Sequence, residues 1–339
     1  MADRNRRRRL LACFLSGLVC FAAAGGSASA ARAEERMLVP VGHTVGLKLF
    51  SDGVMVVGLG EVESRVGSAT PGADCGLQVG DVIEQLNGTE VDSSAQFARL
   101  LQCGGVVELD VSRGGENVSL QARPVLGADG TWRLGAWIRD SIAGIGTVTF
   151  YDPATGTFGA LGHAVQDSDT GLLMPLAAGG VMASRVKAVK KGESGAAGEL
   201  RGDFDLTCDI GTLTANTAAG VFGTLEPGPL TAGQAIPAAS ARQVKTGPAV
   251  IRANVTGDTV EEYTVEILRL SPGNENGQNM LIRVTDPKLI ALTGGIVQGM
   301  SGSPIIQDGK LVGAVTHVLV NDPTRGYGIF IENMLDAAG

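Results

Sequence analysis

The chain has 339 residues, a formal charge of −8, 50 glycines and only 4% aromatic residues. That length admits two ordinary domains with sizeable cores. The acidic balance deepens once the five arginines of residues 1–30 are set aside, and it argues against a nucleic-acid surface built on a basic patch. Gly, Val, Thr and Ala dominate and long helical periodicity is scarce, which favours strands joined by tight turns.

The N-terminus opens with Arg4 and Arg6 to Arg9, then an apolar run from Leu10 to Ala24, then Ala28-Ser29-Ala30. This is the pattern of a secretory signal over residues 1–30, with an uncleaved membrane anchor as the alternative. Either form directs the chain to export, with the positive end left on the cytoplasmic side. Residues 31–42 read as a linker and as the segment most open to self-cleavage. Beyond the leader, Cys75, Cys103 and Cys208 are odd in number and lack Cys-x-x-Cys spacing. No metal site or disulfide framework is implied, and buried free thiols are expected over a Cys75–Cys103 pair.

Residues 43–124 read as a small α/β unit. Gly46 to Phe50 and Val54 to Val57 flank Ser51-Asp52-Gly53, a hairpin signal. Ser94 to Leu101 has helical spacing with Phe97, Leu100 and Leu101 on one face and Ser93 or Ser94 as N-cap. Gly76-Leu77-Gln78-Val79-Gly80-Asp81-Val82-Ile83 and Leu86-Asn87-Gly88 resemble the central block of PDZ domains. That resemblance implies a module that takes an extended peptide as an added strand. The matching peptide-binding loop would be Val45, Gly46 and Leu47, in a form unlike the usual Gly-Leu-Gly-Phe.

Residues 125–339 carry recurrent short strands with Gly and Pro turns, the signature of barrels or a sandwich. Within them, Gly299-Met300-Ser301-Gly302-Ser303-Pro304 places a serine among small residues just before a β-rich run. Such a turn can aim two N–H groups at one point, as an oxyanion hole requires. A serine nucleophile needs a base, and His163, at the end of the run Phe158 to Gly162, suits it. His317, on the strand Val312 to Leu319, is expected to line the substrate pocket or to sit satisfied in the core. The third, orienting position falls to Asp286 at a strand end before Pro287, with Asp167, Asp169 and Asp209 as rivals. The order His, Asp, Ser is that of chymotrypsin-like enzymes, and the Gly299 and Ser301 N–H groups would form the oxyanion hole.

Phe158 to His163, Thr285-Asp286-Pro287, Gly294 to Ile305, Ala314 to Val318 and Asn321 to Thr324 together resemble the stage IV sporulation protein B peptidase family. The resemblance implies a mainly β fold, with a PDZ-like α/β module followed by a chymotrypsin-like double β-barrel. It implies a serine endopeptidase with His163, Asp286 and Ser301 in the triad roles and no cofactor. It also implies export from a forespore into the intermembrane space, self-processing, and cleavage of the regulatory partner of an intramembrane protease, which activates a mother-cell sigma factor. The other reading is a binding protein whose PDZ-like unit carries the function beside an inactive protease domain.

Overall fold

Apolar residues at every second position lay out one buried face at the start of the first long strand. The computed structural model describes residues 35–274 and 276–339, so the expected leader at 1–30 lies outside the described residues. Strand β1 is Met37–Pro40 and β2 is Thr44–Leu59. In β2 Val45, Leu47 and Leu49 are all buried, a period of two that turns one face inward. Leu38, Val39 and Val41 are buried as well. Residues 37–42 are therefore part of the folded body rather than a linker open to cleavage.

Chain order then gives β3 (Val82–Leu86), α1 (Ser94–Leu100), β4 (Val107–Arg113), β5 (Glu116–Ala122) and β6 (Ala136–Tyr151). Next come β7 (Thr157–Ala160), β8 (Ala178–Lys190), β9 (Glu199–Thr217) and β10 (Gly220–Leu225). The last third holds β11 (Gly247–Thr256), β12 (Thr259–Leu270), β13 (Met280–Val284), α2 (Pro287–Thr293), β14 (Pro304–Gln307), β15 (Lys310–Leu319), β16 (Asp322–Phe330) and α3 (Ile331–Ala338).

The expected hairpin at Ser51-Asp52-Gly53 is a bend within one strand. Ser51 Oγ donates to the Gly53 carbonyl at 2.6 Å, and Gly53 takes φ +97°. β6 runs antiparallel along both halves of β2, opposing Gly146 to Val45 and Trp137 to Gly58, with register shifts on either side of Ile138–Arg139. The bend absorbs the mismatch as a bulge does, so the chain does not reverse.

The two halves of β2 serve different bodies. Thr44 to Phe50 pairs with β6 on one edge and β8 on the other. From there β6 pairs with β7, β7 with β10, β10 with β9 and β9 with β8, closing a six-strand ring. Its interior holds Val45, Leu47, Leu49, Phe158 and Val181. The other half of β2 pairs with β3, then β4 and β5, and makes the PDZ-like fold with α1. Ser93 caps α1 by accepting from Gln96 N–H, and Phe97 packs into a core of Val54, Ile83, Leu86 and Leu109. Buried Asp81 accepts from Nε and Nη2 of Arg113, each at 2.7 Å, a bidentate pair that pins the Gly76–Asp81 loop. Strands β11 to β16 close a second barrel, on whose core Leu289 of α2 also packs.

The PDZ-like fold is thus carried between the first two strands of the first barrel. The chain leaves that barrel near Phe50 and returns near Ser141. The protein is mainly β, a PDZ-like module combined with a chymotrypsin-like pair of barrels. Val45, Gly46 and Leu47 cannot accept a peptide strand, because both of their edges are already paired and their side chains are buried. The three described cysteines are free, and Cys103 and Cys208 are exposed rather than buried.

Candidate active site

Two loops, one from each barrel, meet in a cleft of about 570 Å³ whose wall includes His163, Gln166, Asp167, Gly299, Ser301, Thr316 and His317. The first loop follows β7. Its entry is strained: Leu161, a non-glycine residue, takes φ +69°, and the Gly162 N–H donates back to the Ala160 carbonyl at 2.8 Å. This is a γ-turn of the rare hand, and such strain persists only where the surroundings enforce it. Here Leu161 is buried and its N–H donates to the Thr147 carbonyl.

His163 follows, half-buried. Its Nδ1 lies 2.8 Å from the Ala164 carbonyl. A carbonyl only accepts, so Nδ1 carries the proton and Nε2 is left with the free lone pair. Burial lowers the His163 pKa; the Ala164 carbonyl partly opposes this, and the neighbouring His317 adds to it. The two imidazoles lie 4.9 Å apart, centroid to centroid, and the His317 ring is likewise lowered by partial desolvation. Both rings are therefore held toward the neutral form at neutral pH.

The second loop connects α2 to β14 and carries Ser301. It is tied down from both barrels. Thr147 N–H donates to the Ser301 carbonyl at 3.0 Å, and Thr147 Oγ1 to the Gly299 carbonyl at 2.7 Å. Thr149 Oγ1 donates to the Gly302 carbonyl at 2.8 Å, and the Gly302 N–H to the Val315 carbonyl at 2.7 Å. Gly302 has φ +98°, and a Cβ there would stand 2.0 Å from the Thr147 carbonyl oxygen, so only glycine fits. Among the described residues, the N–H groups of Gly299 and Ser301 donate to no backbone carbonyl. The Ser301 hydroxyl donates to the Thr316 carbonyl at 2.6 Å.

The structure brings His163, Ser301, Gly299 and His317 together, but not Asp286. Asp286 is the N-cap of α2: its carboxylate accepts from the N–H groups of Lys288 and Leu289, and Thr264 N–H reaches its other oxygen. Pro287 sits at the first helical turn, where its missing N–H costs nothing. Asp286 does not line the cleft, and none of its described hydrogen bonds reaches His163. Of the rivals, Asp209 pairs with Lys48 and Asp169 with Arg139. Asp167 does line the cleft, buried, but its Oδ1 accepts from Asp169 N–H, Thr170 N–H and Thr170 Oγ1. The hydrogen-bond partner of His163 Nδ1 in this structure is the Ala164 carbonyl. Thr147, Thr149 and Thr316 were not legible as site residues, since threonines in strands carry no motif.

A second concavity, about 690 Å³, lies in the PDZ-like fold between the start of β6 and α1. Leu134, Gly135, Trp137, Phe97 and Leu101 line it. There Ala136, Trp137 and Ile138 pair with β2 on one edge only.

Two barrels that meet at a serine and a histidine, with a PDZ-like module carried on one of them, define a PDZ-bearing serine peptidase. A family model for the SpoIVB peptidase S55 matches residues 130–335 and one for the PDZ domain matches residues 64–113. The chain belongs to the SpoIVB peptidase S55 family. No curated protein matches it. Among solved structures, the chain is similar to the PDZ domain of the SdrC-like protein from Listeria monocytogenes, at 24% identity over 26% of this chain and 87% of that one, with a TM-score of 0.21. It is also similar to the Rv3671c protease in an inactive form, at 16% identity over 58% and 85% of the two chains, with a TM-score of 0.32. A mutant of the same protein from M. tuberculosis, also inactive, aligns at 15% identity over 58% and 82%, with a TM-score of 0.30.

Proposed function

We propose that this serine peptidase is an endopeptidase whose nucleophile is Ser301 and whose general base is His163. The observation that carries the reading is the 2.8 Å approach of His163 Nδ1 to the Ala164 carbonyl. With Nδ1–H committed to Ala164, Nε2 is the nitrogen free to take the Ser301 proton. In the reaction the Ser301 hydroxyl turns from Thr316 to His163, attacks the scissile carbonyl and forms an acyl-enzyme. His163 returns the proton to the leaving amine, and water then releases the acyl group. The N–H groups of Gly299 and Ser301 receive the oxyanion. Losing one such donor typically costs about 10²–10³ in rate.

By family, the proposed setting is sporulation: export to the intermembrane space around a forespore, self-processing, and cleavage of the regulator of an intramembrane protease that leads to sigma factor activation. Self-cleavage falls N-terminal to Met37, since β1 is buried and paired. The PDZ-like fold takes an extended segment along Ala136 to Ile138, which pair with β2 on one edge only, rather than along Val45 to Leu47.

Full-length wild type, Ser301→Ala and His163→Ala, each treated with a fluorophosphonate, test the core of this reading. Labelling and self-cleavage in wild type alone support it. Labelling that survives Ser301→Ala sinks it. The Ser301 to Thr316 hydrogen bond favours one second reading, a protease held latent while the PDZ-like fold binds its ligand. Wild type that labels only after a groove-binding peptide is added would select that reading.

A further inference from the structure

The loop that carries His163 runs on as an excursion from Val165 to Met174, and it forms one wall of the cleft. Its base is fixed by Asn216, whose side chain bonds both the Val165 N–H and carbonyl at 2.9 Å and the Met174 carbonyl at 2.9 Å. Its tip is wrapped around Asp167. That carboxylate is buried although it faces a cation from another element: Arg139 Nη1 stands 2.6 Å from Asp167 Oδ2, an ion pair without hydrogen-bond alignment. Arg139 Nη2 donates to Asp169 Oδ2 at 2.7 Å. One guanidinium thus spans two carboxylates of the excursion. Burial opposes the charged form of Asp167, and hydrogen bonds from Thr170 and Asp169 with the Arg139 charge more than offset it.

Arg139 does not belong to the barrel half of β6. It lies opposite Met55, in the stretch that completes the PDZ-like fold, directly after the groove residues Trp137 and Ile138. Eight residues on, roughly 26 Å along an extended chain, the same strand presents Thr147 to the Ser301 loop. One strand therefore touches both loops of the site, at Arg139 and at Thr147.

We propose that Arg139 is a positioning residue for the reaction: through Asp167 it holds the cleft wall that carries His163, so the PDZ-like fold sets the placement of the base. The inference rests on His163 being the base. Its physical content is the buried carboxylate. Without Arg139 the Asp167 charge loses its countercharge, the tip must open to find water, and the excursion moves with it.

The test uses full-length wild type, Arg139→Ala and Arg139→Lys, with two readouts. The first is the second-order rate of fluorophosphonate labelling, which reports base and nucleophile without peptide binding. The second is amide hydrogen exchange over residues 163–174 and 299–303. The expected result for Arg139→Ala is a loss of about 10- to 100-fold in labelling rate, the scale of a misplaced catalytic group. Exchange should quicken over 163–174 and stay unchanged over 299–303, and Arg139→Lys should recover most of the rate. A labelling rate within twofold of wild type in Arg139→Ala overturns the proposal. So does a rate loss with no change in exchange at 163–174, or a lysine variant no better than alanine. If wild type is labelled neither alone nor with a groove-binding peptide added, the reading of Ser301 and His163 fails, and with it the catalytic role of Arg139. Quickened exchange in Arg139→Ala would then leave only a structural latch.

Discussion

The backbone N–H of Thr147, in the first barrel, donates to the carbonyl of Ser301, in the second, at 3.0 Å. The loop that carries Ser301 is thus not a free turn between two strands of its own barrel. Its shape is copied from the opposite barrel through Thr147 and Thr149.

Thr147→Val keeps the shape and removes the Oγ1 hydrogen bond to the buried Gly299 carbonyl. An unsatisfied buried acceptor of this kind costs about 1–3 kcal/mol. The expected outcome is a stability loss in that range by denaturant unfolding and a slower labelling of Ser301. Thr147→Ser, which restores the hydroxyl, should recover both. Equal stability of the valine and serine variants would contradict the role given to Oγ1.

Gly302→Ala meets the Thr147 carbonyl oxygen at 2.0 Å with φ already at +98°. Overpacking alone costs about 1–3 kcal/mol, with backbone strain added. We expect a destabilised protein that does not label. Gly273→Ala, with nothing within 4 Å and no positive φ, is the control. It should stay within about 0.5 kcal/mol of wild type.

Asp286 separates two accounts of the site. As a third triad member, its change to Asn would cost about 10⁴ in kcat, as it does in serine proteases where that carboxylate is essential. As the N-cap of α2, Asp286→Asn keeps a capping oxygen, so labelling within about threefold of wild type is expected. Asp286→Ala should cost about 0.5–2 kcal/mol of stability instead. A labelling rate in Asp286→Asn that collapses by orders of magnitude would refute the cap assignment as the whole of its function.

With His163 as the proposed base, labelling requires its neutral form, so the rate should rise with pH through the His163 pKa. Burial and the charge of His317 both press that pKa below the ordinary 6.5. The wild-type midpoint is therefore expected on the acid side of 6.5. His317→Ala removes the like charge and part of the burial, and both changes move the midpoint upward. A wild-type midpoint at or above 6.5 would show that neither effect governs the base.

Much of this was legible in the chain itself. The Gly76-Leu77 to Asp81 block, the Asn87-Gly88 turn and the Ser93 cap are local signals, and each sits where local chemistry put it. The serine among glycines stands out because only small residues tolerate the close approach of another strand, and Gly302 meets Thr147 in that way. His163 stands out by elimination, with three histidines in the whole chain, and it lines the same cleft as Ser301.

What the amino-acid order could not settle was which strand pairs with which. Local alternation marks Thr44 to Leu59 as extended, but it does not say that one half closes a barrel and the other half edges a PDZ-like sheet. That division follows from β6 pairing along the full length of β2, a contact between residues about ninety positions apart. For the same reason Val45 to Leu47 read as an open loop and proved to be a buried strand. Asp286 read as a triad member, yet the next helix claims its carboxylate. Sequence alone determined the residue types able to do the chemistry. Only the tertiary structure decided their partners, because a hydrogen bond or ion pair between distant segments depends on where the packed barrels place them.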